Sequence, residues 1–230
     1  MKEFKYALKQ SFPIFFTYVF LGIAFGVMMV EAGYSALTTV LCSVFIFAGS
    51  MQFVMIPLLK AGAPIITLII ITLFVNGRHM FYGVGFIDRF RSTGWRYPYM
   101  VFSLTDETYS ILCSVKHPEG INVKQAEFFI AAQNHFYWIL GGFLGAMAGN
   151  LLPVDLTGID FSATAFFLVV VLGQLENFPS KIPAFVGLAA SLIFIWVLGP
   201  DYFLIPSLSA TLIILVLARK VVGKRLEASK

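Results

Sequence analysis

Apolar runs of about the length that crosses a lipid bilayer recur along this chain, and that spacing constrains the fold more than any motif does. A hydrocarbon core near 30 Å takes roughly 17 to 25 mostly apolar residues per helix. Runs of this kind fall at 12–30, 36–59, 64–85, 98–115, 126–150, 162–175, 182–198 and 202–218. The second is interrupted at Ala48-Gly49-Ser50, the fourth carries Asp106-Glu107 and the sixth is short. The pattern predicts an all-α, polytopic membrane helix bundle of about seven segments, one more or one fewer, some of them broken or re-entrant. One integral membrane domain would then occupy residues 1–230.

Composition agrees. Hydrophobic residues make up 59% of the 230 and charged residues 12%, against roughly 25% charged in an ordinary soluble domain. Too few ionisable groups are present to solvate the outside of a water-soluble core of this size. The net charge of +4 and pI near 9.1 do not describe a nucleic-acid surface, because the basic residues sit at the two ends and in one loop. Cys42 and Cys113 lie within apolar runs, where a free thiol behaves as a small hydrophobe. The first run lacks a small-x-small cleavage site and reads as a retained span.

Charge also predicts orientation. Lys2, Lys5 and Lys9 precede the first run, and Arg219, Lys220, Lys224 and Arg225 follow the last, so the positive-inside bias places both termini in the cytoplasm. An even number of crossings follows. The loop with Arg89, Arg91 and Arg96 belongs on that same side, which unbroken spans do not deliver. At least one segment is therefore expected to be re-entrant or broken. Asp155 and Asp160 point weakly to an outside loop.

Sliding the sequence along itself by 119 residues aligns Tyr18 with Tyr137, Leu21 with Leu140, Gly22 with Gly141, Gly26 with Gly145 and Met28 with Met147. Thr38 with Thr157, Ser43 with Ser162, Phe47 with Phe166 and Pro64 with Pro183 keep the register. Transporters are often duplicated in this way, and the candidate halves are 12–115 and 126–219. Their relative sense, parallel or inverted, depends on the crossing count.

Polar groups at membrane depth are costly, so each cluster of them marks a candidate site. In Phe47-Ala48-Gly49-Ser50-Met51-Gln52, small residues permit the helix to open, and Ser50 and Gln52 offer hydrogen bonds. Unpaired backbone groups at such a break suit a zwitterion; the same residues also suit a close helix contact. In Asn76-Gly77-Arg78-His79, Arg78 fits a carboxylate, His79 titrates near neutrality and Asn76 both donates and accepts. Snorkelling of Arg78 and His79 to the interface is the structural alternative. Asp106 and Glu107 need a cation, water or a proton if they enter the membrane, which makes them candidate proton carriers with Arg78 as the expected partner. Asn134 and His135 could line a pathway, with Tyr137 and Trp138 alternatively forming an interfacial belt. Gly141, Gly142, Gly145 and Gly149 recur at helical spacing and predict a tight helix contact. His117, beside Lys116 and Pro118, reads as a solvated loop residue.

Enzyme chemistry has no support here. The chain has no phosphate-cradling loop, no His-Glu-x-x-His and no Gly-x-Ser-x-Gly. No Cys or carboxylate stands at ligand spacing beside the histidines, so no metal or other cofactor is expected.

Together, Gly22-Ile23-Ala24-Phe25-Gly26, Phe47-Ala48-Gly49-Ser50-Met51-Gln52, Asn76-Gly77-Arg78-His79-Met80-Phe81-Tyr82 and Thr105-Asp106-Glu107 resemble the AzlC family of branched-chain amino acid permeases. The resemblance covers nearly the whole chain, with Tyr137-Trp138-Ile139-Leu140-Gly141 and Asp160-Phe161-Ser162-Ala163 similar to later family segments. It implies a bacterial inner-membrane protein that moves Leu, Ile or Val, often outward, with a small AzlD-type membrane subunit. A few polar contacts within a greasy pocket suit such a zwitterion. Gly49, Ser50, Gln52, Asn76, Arg78, His79 and Asn134 are the expected substrate contacts. Asp106 and Glu107, with His79, are the expected proton-coupling groups, in a cycle of alternating access without ATP. The competing class is a membrane scaffold or accessory subunit whose polar clusters bind a partner helix.

Overall fold

The computed structural model describes residues 2–151, 168, 171–172, 175, 181–199 and 203–218, the side chains of Arg78, Phe81, Leu204 and Ile205 excepted. Most of the expected sixth run, 162–175, lies outside them. Two compact units divide the chain, Met1–Asp160 and Phe161–Lys230. Every element among the described residues is helical.

The first unit is organised around two long helices, α1 (Lys2–Glu31) and α7 (Val123–Leu151), each about 45 Å long at 1.5 Å per residue. They run side by side in the same direction. Phe4 packs on Phe129, Ser11 donates to Gln133 at 2.8 Å, Phe15 packs on Tyr137, and Gly149 faces Val30. In between, the backbones touch: a Cβ on Gly22 would stand 2.9 Å from the Gly141 Cα. One on Gly26 would strike the Gly142 carbonyl, and one on Gly145 the Ile23 carbonyl. The expected glycine face is thus the α1–α7 seam, where small residues let two backbones gain van der Waals contact that side chains would prevent.

Two broken helices approach this pair from opposite ends. The first consists of α2 (Ala36–Phe45) and α3 (Gly49–Lys60). Ser35 caps α2 by accepting from the Thr38 N–H, beside the end of α1, where the Tyr34 N–H bonds the Met29 carbonyl. From there α2 descends until Ser43 reaches His135 and Phe47 meets Tyr18. After the break α3 turns back, with Gly49 against Trp138 and Phe53 against Phe25. The second consists of α5 (Tyr97–Phe102), preceded by a one-turn helix Gly94–Arg96, and α6 (Asp106–Ser114). It enters with Arg96 over the Phe128 ring and reaches Tyr18 through Thr105. It then leaves past Asn134, so that the Lys116 carbonyl accepts from Tyr6. Both are hairpins, and their tips meet: the Phe47 and Phe102 rings are 6.2 Å apart.

Helix α4 (Ile65–Arg91) links the two hairpins. Its second half packs on α6, Tyr82 stacking on Tyr109 at 4.4 Å, while Phe86 and Phe90 join Ala7, Met100, Leu104, Leu112 and Ile130 in a buried apolar cluster. Arg89, Arg91 and Arg96 therefore lie at the end of the bundle that holds Lys2 and Lys5. Neither 36–59 nor 98–115 is thus one unbroken helix: each doubles back.

Among the described residues, α1 alone is both long and apolar enough to cross a membrane as one helix, and α4 qualifies as a pair of halves, Ile65–Gly77 and Tyr82–Arg91, bent by 77°. Helix α7 has the length, but Gln133, Asn134 and His135 lower its hydropathy, and all three are buried. In the second unit, α8 (Ile182–Leu198) and α9 (Leu204–Leu217) pack together, with Gly187 facing Thr211.

Candidate functional site

The point where the hairpin tips meet α1 and α7 gathers most of the polar residues singled out above. At the first tip the backbone is strained: Phe47 has φ +37°, a left-handed conformation that costs a bulky residue about 1–3 kcal/mol. Helix α3 begins at Ala48 without a side-chain cap. Instead the Ala48 N–H donates back to Gln52 Oε1 at 3.3 Å. Because a backbone N–H only donates, this bond fixes the Gln52 amide orientation. Its Nε2 is left buried with no partner among the described residues. Gly49 admits the Trp138 indole, which would stand 3.3 Å from a Cβ there, and Ser50 is buried beside it.

At the second tip the helix start is capped, since Thr105 accepts from the Thr108 N–H. Tyr18 donates to Glu107 Oε2 at 2.6 Å and lies 2.7 Å from the Thr105 hydroxyl. Asn134 donates to the Thr108 hydroxyl at 3.1 Å, which leaves Asn134 Oδ1 buried and, like Trp138 Nε1, without a partner among the described residues. Asp106 sits 3.7 Å from His79 Nε2. The described partners of the two acids are thus His79 and Tyr18; of the Arg78 side chain, the expected partner, nothing is described. Asn76, on the same helix as His79, keeps a buried Oδ1 with no partner among the described residues.

His135 lies between the tips. Its ring is 4.4 Å from Phe47 and 5.5 Å from Phe102, with Nδ1 3.1 Å from the Tyr99 hydroxyl and Nε2 3.3 Å from the Ser43 carbonyl. Tyr137 and Trp138 are 5% and 2% exposed: Trp138 packs at the tips against Gly49 and Tyr18, and Tyr137 packs on α1 at Ser11 and Phe15. Tyr18 was recognisable only as a hydroxyl in the middle of an apolar run, a residue type that needs a partner at that depth. Among the described residues no three His, Cys, Asp or Glu side chains are grouped to hold a metal ion.

An apolar helical chain with two opposed hairpins closing on buried, unpaired polar atoms has the construction of a membrane transport protein. Residues 13–152 match the AzlC protein family, and the chain belongs to that family. It is 34% identical over 221 residues to the branched-chain amino acid transport protein AzlC of Bacillus subtilis, covering 96% of this chain and 87% of that protein. It is 36% identical over 224 residues to a membrane protein of Helicobacter pylori, covering 96% and 98%. To the inner membrane protein YgaZ of Escherichia coli it is 28% identical over 178 residues, covering 74% and 72%. No solved structure matches the chain.

Proposed function

We propose that this protein carries branched-chain amino acids, Leu, Ile, Val or analogues, outward across the bacterial inner membrane. In this reading it is the large subunit beside a small AzlD-type partner and works by alternating access without ATP. The observation that carries the reading is the trio Gln52 Nε2, Trp138 Nε1 and Asn134 Oδ1, buried around the hairpin tips without partners among the described residues. An unsatisfied buried polar atom costs about 1–3 kcal/mol, so a ligand that pairs all three gains what the empty site lacks. Two donors and one acceptor complement a zwitterion. Its carboxylate takes Gln52 and the start of α3 at Gly49 and Ser50, where the helix dipole favours an anion. Its ammonium takes Asn134 Oδ1 and Glu107. Phe25 and Phe53, packed on Trp138, offer an apolar side chain its surroundings. Asn76, Arg78 and His79 extend the path along α4, and Asp106, Glu107 and His79 supply proton coupling.

The distribution of charge supports a cytoplasmic N-terminus. Lys2, Lys5, Lys9, Arg89, Arg91, Arg96, Lys116 and Lys124 gather where α1 and α7 begin, and Lys60 stands at the opposite end. With α1, α4 and α7 as crossings, the α2–α3 hairpin enters from outside and the α5–α6 hairpin from the cytoplasm. The α1–α7 seam supports a duplication with parallel halves: the two aligned helices run in the same direction, and the aligned glycines Gly22 and Gly141 face each other.

Reconstitution tests the reading. The chain in proteoliposomes, alone and with its small partner, should take up labelled valine saturably, with and without an imposed pH gradient. Partner binding without flux would make it a scaffold, and equal initial rates at both pH conditions would remove proton coupling.

A further inference from the structure

We propose that His135 is a positioning residue that couples the two hairpins, so that only one tip leaves the passage at a time. This rests on the transport reading above. The Ser43 carbonyl lies in the last turn of α2, where carbonyls lack intrahelical partners, and a carbonyl only accepts. His135 Nε2, 3.3 Å away, therefore carries the hydrogen and closes the end of α2 from α7. The other nitrogen then accepts from the Tyr99 hydroxyl of α5 at 3.1 Å. One buried imidazole is thereby tied to both hairpins, and Phe47 and Phe102 press on its ring from the two tips.

Departure of either tip strips the imidazole of one hydrogen bond and its ring contacts on that side, Phe47 on one and Phe102 with Tyr99 on the other, while the other tip still holds it on α7. Departure of both strands it entirely in an apolar interior, where unpaired polar groups are costly. The state with both hairpins open is the one that would let solute leak, and the shared histidine disfavours it.

Counterflow tests this without knowledge of a driving ion. Proteoliposomes holding the chain and its small partner are loaded with unlabelled leucine and diluted into trace labelled leucine. Alternating access gives a transient overshoot of label, whereas a leak gives simple equilibration. Tyr99→Phe, which removes one hydroxyl and keeps the ring, should lower the overshoot at least 5-fold while downhill leucine flux stays within 2-fold of wild type. His135→Gln, which retains a donor for Ser43, should also lose the overshoot. An unchanged overshoot in Tyr99→Phe overturns the proposal, as does an equal fall in overshoot and downhill flux, which marks a merely structural contact. Absence of any leucine flux in the wild type would instead defeat the transport reading itself.

Discussion

Arg89, in the last turn of α4, grips the carboxylate of Glu127, in the second turn of α7, through Nε at 2.9 and 3.1 Å and through Nη2. Glu127 is 1% exposed and Arg89 36%. The pair also draws in His117, whose Nε2 is 3.1 Å from the same carboxylate, and Arg89 donates to the Leu112 carbonyl at the base of α6. Removing one member of a buried pair leaves the other uncompensated, at about 3–5 kcal/mol. Because Arg89 is partly solvated, Glu127→Gln is expected to cost about 3 kcal/mol and visibly lower the thermal unfolding midpoint in detergent. An unchanged midpoint would show that the pair contributes nothing.

The glycine seam predicts opposite outcomes for one kind of substitution. Gly145→Val drives a side chain into the Ile23 backbone, and overpacking of this kind costs about 1–3 kcal/mol or more. A Cβ on Gly85 meets nothing within 4 Å, so Gly85→Ala should be neutral or stabilising by up to about 1 kcal/mol from helix propensity. Folded yield on size-exclusion chromatography compares the two.

Side-specific labelling addresses the hairpins. In a parent lacking Cys42 and Cys113, a membrane-impermeant maleimide applied outside should label Glu31→Cys and Ala61→Cys, and from the cytoplasmic side Ser92→Cys and Glu119→Cys. Labelling of positions 61 and 92 from one face would overturn the path assigned to α4.

Gln52 offers the most direct test of the ligand site. A hydrogen bond to a charged group contributes about 1.5–3 kcal/mol, so Gln52→Leu should raise the apparent KM for leucine roughly 10- to 100-fold at unchanged expression. A KM within 2-fold of wild type would take Gln52 out of the site.

Much of this architecture was legible as apolar spacing, but length does not reveal direction. Residues 36–59 have the length of a full crossing, and nothing in their composition says that the chain reverses near Phe47. Ala48-Gly49-Ser50 marked a break there, and the arginines at 89, 91 and 96 pointed to a reversal by requiring a parity that unbroken spans lacked. The polar clusters marked the right depth without their partners: Tyr18 and Glu107 are 89 residues apart, beyond the reach of any local pattern. His117 read as a solvated loop residue, yet its side chain is 13% exposed, because Glu127 resembled an ordinary acid near a helix start and gave no sign of being a buried anion. Gly141 and Gly145 were readable as a contact face because a glycine at every turn has few other uses in a helix.

Backbone pressed directly on backbone at Gly22, Gly26, Gly141 and Gly145 leaves no side chain between α1 and α7 to rearrange there. In the transport cycle proposed above, whatever swings would swing about this pair, the stator of such a device. Damage there should abolish assembly before it alters motion, whereas lesions confined to the hairpins leave an intact frame whose moving parts no longer keep time.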